Sequence, residues 1–246
     1  MGATAAWPGR VRLIRLYGRL SSHDRTIGFD AGDDLGLVLA GGYAISQYGL
    51  TSRSSRDVDF ATASRLPLAE VTVRLAQAYQ AAGYTVTVVE STSRMARIDV
   101  TDGTRACEVD LLKEAIGPPT RLAVGPVLAI DDAVGLKMRA LYSRTMPRDI
   151  IDVRAAGAAG YSTLDLERLG RQHTPEFRDE ELADRLAAVA DLPERGFTAY
   201  GLTEDIIADL RAWALAWESD LRTRLAGEPD QRPGTAEPDW DAYLDE

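Results

Sequence analysis

Residues 39–60 read LAGGYAISQYGLTSRSSRDVDF, and the order of residue types in this stretch decides the fold class. It opens at the end of a continuous apolar run, Leu35-Gly36-Leu37-Val38-Leu39-Ala40, the pattern of a buried strand. The run stops at Gly41-Gly42, and YAISQYGL then has the spacing of a short helix. Glycines at a strand-to-helix turn let backbone N–H groups approach a phosphate closely, and a helix start favours its charge. Fourteen residues separate Gly42 from Asp57. Asp57 and Asp59 flank Val58 in a second strand, DVDFAT. Alternate strand residues share a face, so the two carboxylates project together while Val58 packs the other way. Two such carboxylates repel unless a cation sits between them. Mg²⁺ suits the pair, because it usually takes one or two carboxylates plus substrate phosphates. Taken alone, Gly-Gly is a tight turn and Asp-x-Asp a solvated strand end. Their spacing, with apolar residues bracketing both, points to chemistry.

Working outward, Pro67 fits the first turn of a helix running through VTVRLAQAYQAA to a C-cap at Gly83. Three β-rich pieces follow, YTVTVVE, RMARIDV and RACEVDLL, with Asp102-Gly103 a hairpin signal between the last two. The third piece carries Asp110, a further candidate carboxylate. Glu108 shares its register and Asp99 lies on the strand before, so the third ligand stays open among Asp110, Glu108 and Asp99. From about residue 130 the pattern is helical. AVGLKMRALYSR and PRDIIDVRAAGAAG are split at Pro147, and further helices are expected around 163–171, 175–190 and 203–226. Residues 9–20 read as a short helix or an irregular lead-in. The acidic, proline-containing end of the chain reads as loose or partner-bound. The expected class is α+β, an N-terminal mixed β-sheet followed by a C-terminal helical bundle.

Composition narrows the chemistry. The chain has 246 residues, 45% hydrophobic and 27% charged, as an ordinary globular protein does. No stretch approaches the length of a membrane-spanning helix and no signal-peptide core is visible, so the expectation is a cytoplasmic protein with no membrane partner. One cysteine, Cys107, excludes a disulfide framework and a cysteine-rich zinc site. Two histidines, His23 and His173, leave little for a histidine metal site or a Ser-His-Asp triad, and both read as polar surface residues. Cys107 reads as a small buried residue, and Trp213 and Trp217, one helical turn apart, as core. The formal charge of −10 is uneven: residues 161–246 carry 9 Arg against 21 Asp and Glu, leaving residues 1–160 at +2. A strongly acidic protein is a poor prior for nonspecific nucleic-acid binding, but a near-neutral first part leaves room for a local patch. The chain uses 26 Arg and only two Lys, Lys113 and Lys137. Where arginine is the generic cation, Lys137 stands out as a compact charge suited to a phosphate. Lys137, Leu141 and Arg144 share one helix face, and Asp149 and Asp152 share a face of the next helix. These groups either complete a site or form an interhelical salt-bridge cluster, and Arg148 serves either reading.

Strand, Gly-Gly, short helix, then Asp-x-Asp and a later Asp resembles the polymerase β-like nucleotidyltransferase superfamily. The match is full at Ala40-Gly41-Gly42 and at Asp57-Val58-Asp59-Phe60, with a slightly long spacer. KMRALYSRTMPRDIIDV is similar to the Lys…Arg…Arg-Asp-x-x-Asp segment of the AbiEii/AbiGii-type toxins, which include the MenT toxins. The two motifs span residues 39–153. The resemblance implies a nucleotidyltransferase domain over 1–125, a helical domain over 126–227 that completes the site, and a flexible acidic tail over 228–246. It implies Mg²⁺, with Mn²⁺ as an alternative, on Asp57, Asp59 and Asp110. It places Gly41 and Gly42 at the triphosphate and completes the site with Lys137 and Asp149 or Asp152. Ser55, Arg144 and Arg148, placed by their spacing, are the further candidate nucleotide contacts. Tyr43 stands where many relatives place a small hydroxyl residue, so phosphate contacts there would be backbone only. The implied substrate is an NTP, with ATP among the candidates, the implied acceptor is the 3′ end of tRNA, and a cognate antitoxin is the implied partner. The first motif alone equally allows a protein or small-molecule acceptor. A noncatalytic regulatory module that keeps the fold is the alternative of another class, and the intact Asp57/Asp59 pair argues against it.

Thr51, Ser52, Ser54 and Ser55 precede the carboxylate pair. Ser55 is two residues before Asp57, so on extended chain its hydroxyl faces the carboxylates. A negative charge placed there would occupy the space meant for NTP phosphates. Such hydroxyl runs are also ordinary loop composition.

Overall fold

The structure, a computed structural model, describes residues 35–53, 55 and 57–227, together with the backbone of two short strands before them. These strands, β1 (Leu13–Arg15) and β2 (Thr26–Gly28), pair antiparallel as a separate ribbon. β1 falls where the sequence reads as a helix or lead-in. Its state is set by a partner strand downstream, which local spacing does not reveal. His23, Ser54 and the tail over 228–246 lie outside the described residues.

The main sheet has seven strands: β3 (Leu37–Leu39), β4 (Val58–Thr62), β5 (Thr85–Ser91), β6 (Met95–Thr101), β7 (Ala106–Lys113), β8 (Thr120–Leu122) and β9 (Gly125–Val127). Their spatial order is β5-β6-β7-β4-β3-β9-β8. β4 runs parallel to β7 and β3 parallel to β9, while the other neighbours are antiparallel, so the sheet is mixed. The alternation in RMARIDV is real: Ala96, Ile98 and Val100 are fully buried, and Met95, Arg97 and Asp99 are only half-buried. At the hairpin, Asp102 Oδ1 accepts the N–H groups of Thr104 and Arg105, and Gly103 supplies the required φ of +90°. Helix α1 (Gly41–Gln47) follows β3 directly, and α2 (Leu68–Ala81) packs against β5, β6 and β7.

β8 and β9 are absent from the sequence reading. Residues 117–126 contain three prolines and two glycines, a turn composition that hides two three-residue strands. β9 matters for the site. It lies parallel to β3, the Leu128 N–H donates to Leu39 O at 3.0 Å, and the Tyr48 hydroxyl donates to Leu128 O at 2.7 Å. The chain thereby enters α3 (Ile130–Arg144) beside α1 and the glycine turn.

The helical part continues with α4 (Pro147–Ala158), α5 (Thr163–His173), α6 (Asp179–Ala187), a 3-10 turn at Ala188–Asp191, α7 (Glu194–Thr198) and α8 (Glu204–Gly227). Pro147 sits in the first turn of α4, where its missing N–H costs nothing. Ser162 and Asp165 form a capping box on α5. The short α7 lies between the helices expected around 175–190 and 203–226, with Pro193 as its N-cap. Trp217 is core, its indole N–H donating to the buried Glu167 at 2.9 Å, and Trp213 packs on it with ring centroids 5.3 Å apart. His173 is not a surface residue. Its side chain lies over Gly135 with Nε2 3.2 Å from Asp132 Oδ1, because a glycine on α3 leaves room for the imidazole. Cys107 is half-buried rather than buried. One continuous apolar core joins sheet and helices, from Leu35 to Leu221.

Candidate active site

The parallel pairing of β4 with β7 sets Asp59 directly beside Asp110. Asp57 precedes β4 on the same face. The carboxylate oxygens of Asp57, Asp59 and Asp110 lie within 4.8 Å of one another, and among the described residues this is the group that could hold a metal. Glu108 and Asp99 are outside it. Ser55 faces the cluster, its hydroxyl donating to Asp57 Oδ1 at 3.2 Å. Arg148 Nη1 lies 3.6 Å from Asp57 Oδ2. Burial pushes the Asp59 carboxyl up to about 6; Lys137 opposes the rise and the neighbouring Asp57 and Asp110 add to it. Three hard oxygen donors, one of them a buried carboxyl that ionises reluctantly without a cation nearby, fit a divalent cation such as Mg²⁺.

The glycine turn is fitted to this cluster. Gly41 has a φ of +59°, and a Cβ there would come 1.8 Å from Asp59 Oδ2. Only glycine meets both conditions. A Cβ at Gly42 would come 2.9 Å from the Ser55 hydroxyl and 3.0 Å from Arg53 Nη2. Strand end, turn and carboxylates thus close on one another without room for a methyl group. Tyr43 points its hydroxyl at the Ser55 carbonyl, 3.5 Å away, and burial raises its pKa to about 12.

Facing the same cleft, α3 and the spacer before β4 supply cations held in place by buried acids of α4. Asp152 is fully buried and takes two partners: Arg53, donating from both Nε and Nη2, and Lys137, whose Nζ is 3.0 Å from Oδ2. Burial works against the Arg53 charge, but the hydrogen bonds and charge of Asp152 outweigh it and raise the pKa. Asp149, also fully buried, takes Arg144 through Nε and Nη2, both at 2.9 Å. Thr145 makes the sharp corner between the helices. It has a φ of 48°, costly for a β-branched residue, and it donates to Leu141 O at 2.9 Å. That corner returns Asp149 to Arg144. The cleft between these walls measures about 270 Å³. Gly41, Gly42, Ser55, Asp57, Asp59 and Lys137 line it, as do Arg144 and Arg148. Asp149 and Asp152 lie behind the wall as anchors for its cations.

Three partners escaped the sequence reading. Arg53 lies in the spacer, and its carboxylate is 99 residues away, so nothing local announces the pair. Arg97, opposite Asp110 in the β6–β7 register, donates to both its oxygens at 2.7 Å. Counting back from the Asp102-Gly103 hairpin could have found it. Arg139 lines the cleft and is gripped through both Nη atoms by Glu114, which follows β7.

The three-carboxylate cluster, the glycine turn and the mixed sheet define a nucleotidyltransferase, and comparison with known proteins agrees. A family model described as "Nucleotidyl transferase AbiEii toxin, Type IV TA system" matches residues 29–246, and the chain belongs to that family. It is a nucleotidyltransferase enzyme of a toxin–antitoxin system, which implies a nucleotide substrate and an antitoxin partner. Among solved structures, a Helicobacter pylori protein described as a nucleotidyltransferase is 16% identical, with a TM-score of 0.50, over 80% of this chain and 92% of that one. JHP933 from Helicobacter pylori is 17% identical, with a TM-score of 0.49, over 80% and 90%. MenT4, a nucleotidyltransferase toxin from Mycobacterium tuberculosis H37Rv, is 18% identical, with a TM-score of 0.47, over 80% and 81%. The first of these likenesses bears on fold alone. No curated protein matches the sequence. Among the described residues no helix is long and apolar enough to cross a membrane.

Proposed function

We propose that this cleft moves a nucleotide from an NTP to the 3′-terminal hydroxyl of tRNA, releasing pyrophosphate. The observation that carries the reading is the convergence of Asp57, Asp59 and Asp110 within 4.8 Å, facing a wall of buried-acid-anchored cations. Asp57, Asp59 and Asp110 would hold Mg²⁺, or Mn²⁺ in its place. The ion, when bound, neutralises charge on the attacking and leaving oxygens. Gly41 and Gly42 bring backbone close to the triphosphate, and Lys137, held by Asp152, meets its charge as a compact ammonium. Arg144 and Arg148 extend the positive wall toward the leaving pyrophosphate, and Ser55 orients Asp57. The acceptor oxygen attacks the α-phosphorus in line, loses its proton, and the bond to the pyrophosphate oxygen breaks. Residues 1–125 form the nucleotidyltransferase domain in this reading, 126–227 the helical domain that completes the cleft, and 228–246 a tail. Family membership and the cationic wall support a polyanionic acceptor such as tRNA. The test is incubation of the protein with each α-labelled NTP, Mg²⁺ and total cellular RNA and protein. Label in the tRNA fraction, lost after removal of the 3′-terminal nucleotide, supports the reading. Label in protein alone would replace tRNA with a protein acceptor.

A further inference from the structure

β7 presents three residues of graded character to one face. Asp110 belongs to the carboxylate cluster, Leu112 lines the same cleft two residues on, and Glu114, just past the strand, grips Arg139. A strand advances about 3.3 Å per residue, so Leu112 lies roughly 7 Å and Glu114 roughly 13 Å along from Asp110. Across the cleft, α3 contributes three cations, Lys137, Arg139 and Arg144, with Leu136 and Ala140 adding apolar surface on either side of Arg139. The Arg139 guanidinium donates one N–H from each Nη to Glu114, whose side chain is only 7% exposed, while 28% of the Arg139 side chain stays exposed. The two-point grip fixes the plane of the guanidinium, so its flat face is held in one orientation, with the remaining N–H groups at its edge. The mechanism above uses neither Arg139 nor Glu114.

We propose that Arg139, clamped by Glu114 and flanked by Leu112, Leu136 and Ala140, is the platform on which the nucleobase of the bound NTP stacks. The spacing suits a nucleoside, whose base lies several ångströms from its α-phosphate. A planar cation over an apolar patch recognises the π-face common to all bases. The platform therefore holds the base without choosing among the four, and Glu114 is a positioning residue that acts through Arg139. The proposal rests on the nucleotidyltransferase reading, and its test separates the two.

Binding of each NTP and of inorganic tripolyphosphate is measured, with Mg²⁺ present, on the wild type, Arg139→Gln, Arg139→Lys, Glu114→Gln and Lys137→Ala. Tripolyphosphate carries the charge but no base. Arg139→Gln should weaken all four NTPs by about tenfold, to within threefold of one another, and leave tripolyphosphate within twofold of wild type. Glu114→Gln should do the same more mildly, and Arg139→Lys should not rescue, because an ammonium has no planar face. Lys137→Ala should weaken NTPs and tripolyphosphate alike. An Arg139→Gln variant that binds every NTP as the wild type does, or loses tripolyphosphate equally, overturns the platform. Loss confined to one base would overturn it in favour of edge recognition. A wild type that binds no NTP at all sinks the nucleotidyltransferase reading itself. Thermal melts of each variant without ligand accompany the titrations, and a variant unfolded at the assay temperature is replaced by Arg139→Met, which keeps the apolar stem.

Discussion

Lys137 is one of two lysines in a chain with 26 arginines, and both have specific partners. Lys113 donates to the carbonyls of Ser64 and Leu66, closing the loop after β4. Lys137 sits in the cleft wall, its side chain 10% exposed and held to Asp152. If it meets the triphosphate, Lys137→Ala should lower kcat/KM by at least tenfold, and Lys137→Arg should recover only part of that loss. A guanidinium fork needs different geometry from an ammonium, and Asp152 already carries one fork from Arg53. Steady-state kinetics on the three proteins decides the matter: full recovery with arginine would reduce Lys137 to a generic charge. Asp152 can be tested beside it. Removing one partner from a buried ion pair strands the other, at about 3–5 kcal/mol. Asp152→Ala strands two cations and should lower the melting temperature far more than Lys137→Ala does.

At the scale of elements, the site is made by a turn and a strand pair that fit without clearance. Gly41→Ala imposes a Cβ on a backbone with φ of +59° and drives it into Asp59. Left-handed backbone alone costs about 1–2 kcal/mol for an alanine. The displaced carboxylate should cost the site its divalent-ion response. Differential scanning fluorimetry should show a lower melting temperature and little or no rise on adding Mg²⁺, whereas the wild type rises. A Gly41→Ala protein that melts like the wild type and responds to Mg²⁺ would show that the turn is not pressed against Asp59. Much of this geometry was legible in the sequence, because it is local. Asp57, Val58 and Asp59 alternate on one strand, the glycines end the strand before it, and the β6–β7 hairpin announces itself at Asp102-Gly103. What stayed hidden depends on partners far along the chain. β9 is a Gly-Pro-Val segment that becomes a strand only by lying against β3. Arg53 looks like loop composition until Asp152 folds back onto it, and His173 looks like a surface residue until Gly135 makes a place for it.

Across the whole molecule, a site that buries a carboxylate beside two others carries an electrostatic cost in the metal-free protein, mainly from burial and then from repulsion. Asp59 has a folded-state pKa of about 6 against an ordinary 3.8. A carboxyl with a raised pKa contributes stability that is fully present below pH 3.8 and lost as pH rises through 6. The difference corresponds to about 2–3 kcal/mol by neutral pH. In divalent-free buffer, Asp59→Asn should therefore be more stable than the wild type at pH 7.5, with the gap closing toward pH 4. Mg²⁺ should also close the gap at pH 7.5, by binding the wild type and not the variant. Urea unfolding at the two pH values, with and without Mg²⁺, measures this. A variant less stable than the wild type at pH 7.5 without metal would show that burial and the neighbouring carboxylates do not penalise the Asp59 charge. The continuous core from Leu35 to Leu221 means that the carboxylate strands and the cationic helices unfold together, so one transition reports on both.

If the cluster of Asp57, Asp59 and Asp110 performs nucleotide transfer, loss of the Asp57 or the Asp59 carboxylate must stop it. The most direct test is the transfer of label from α-³²P-NTP to purified tRNA by the wild type, Asp57→Asn and Asp59→Asn, with Mg²⁺ and matched protein folding. Label should appear on the tRNA 3′ end with the wild type, and under a tenth of that with either variant. Retention of more than a tenth of wild-type transfer in both variants would contradict this role of the cluster.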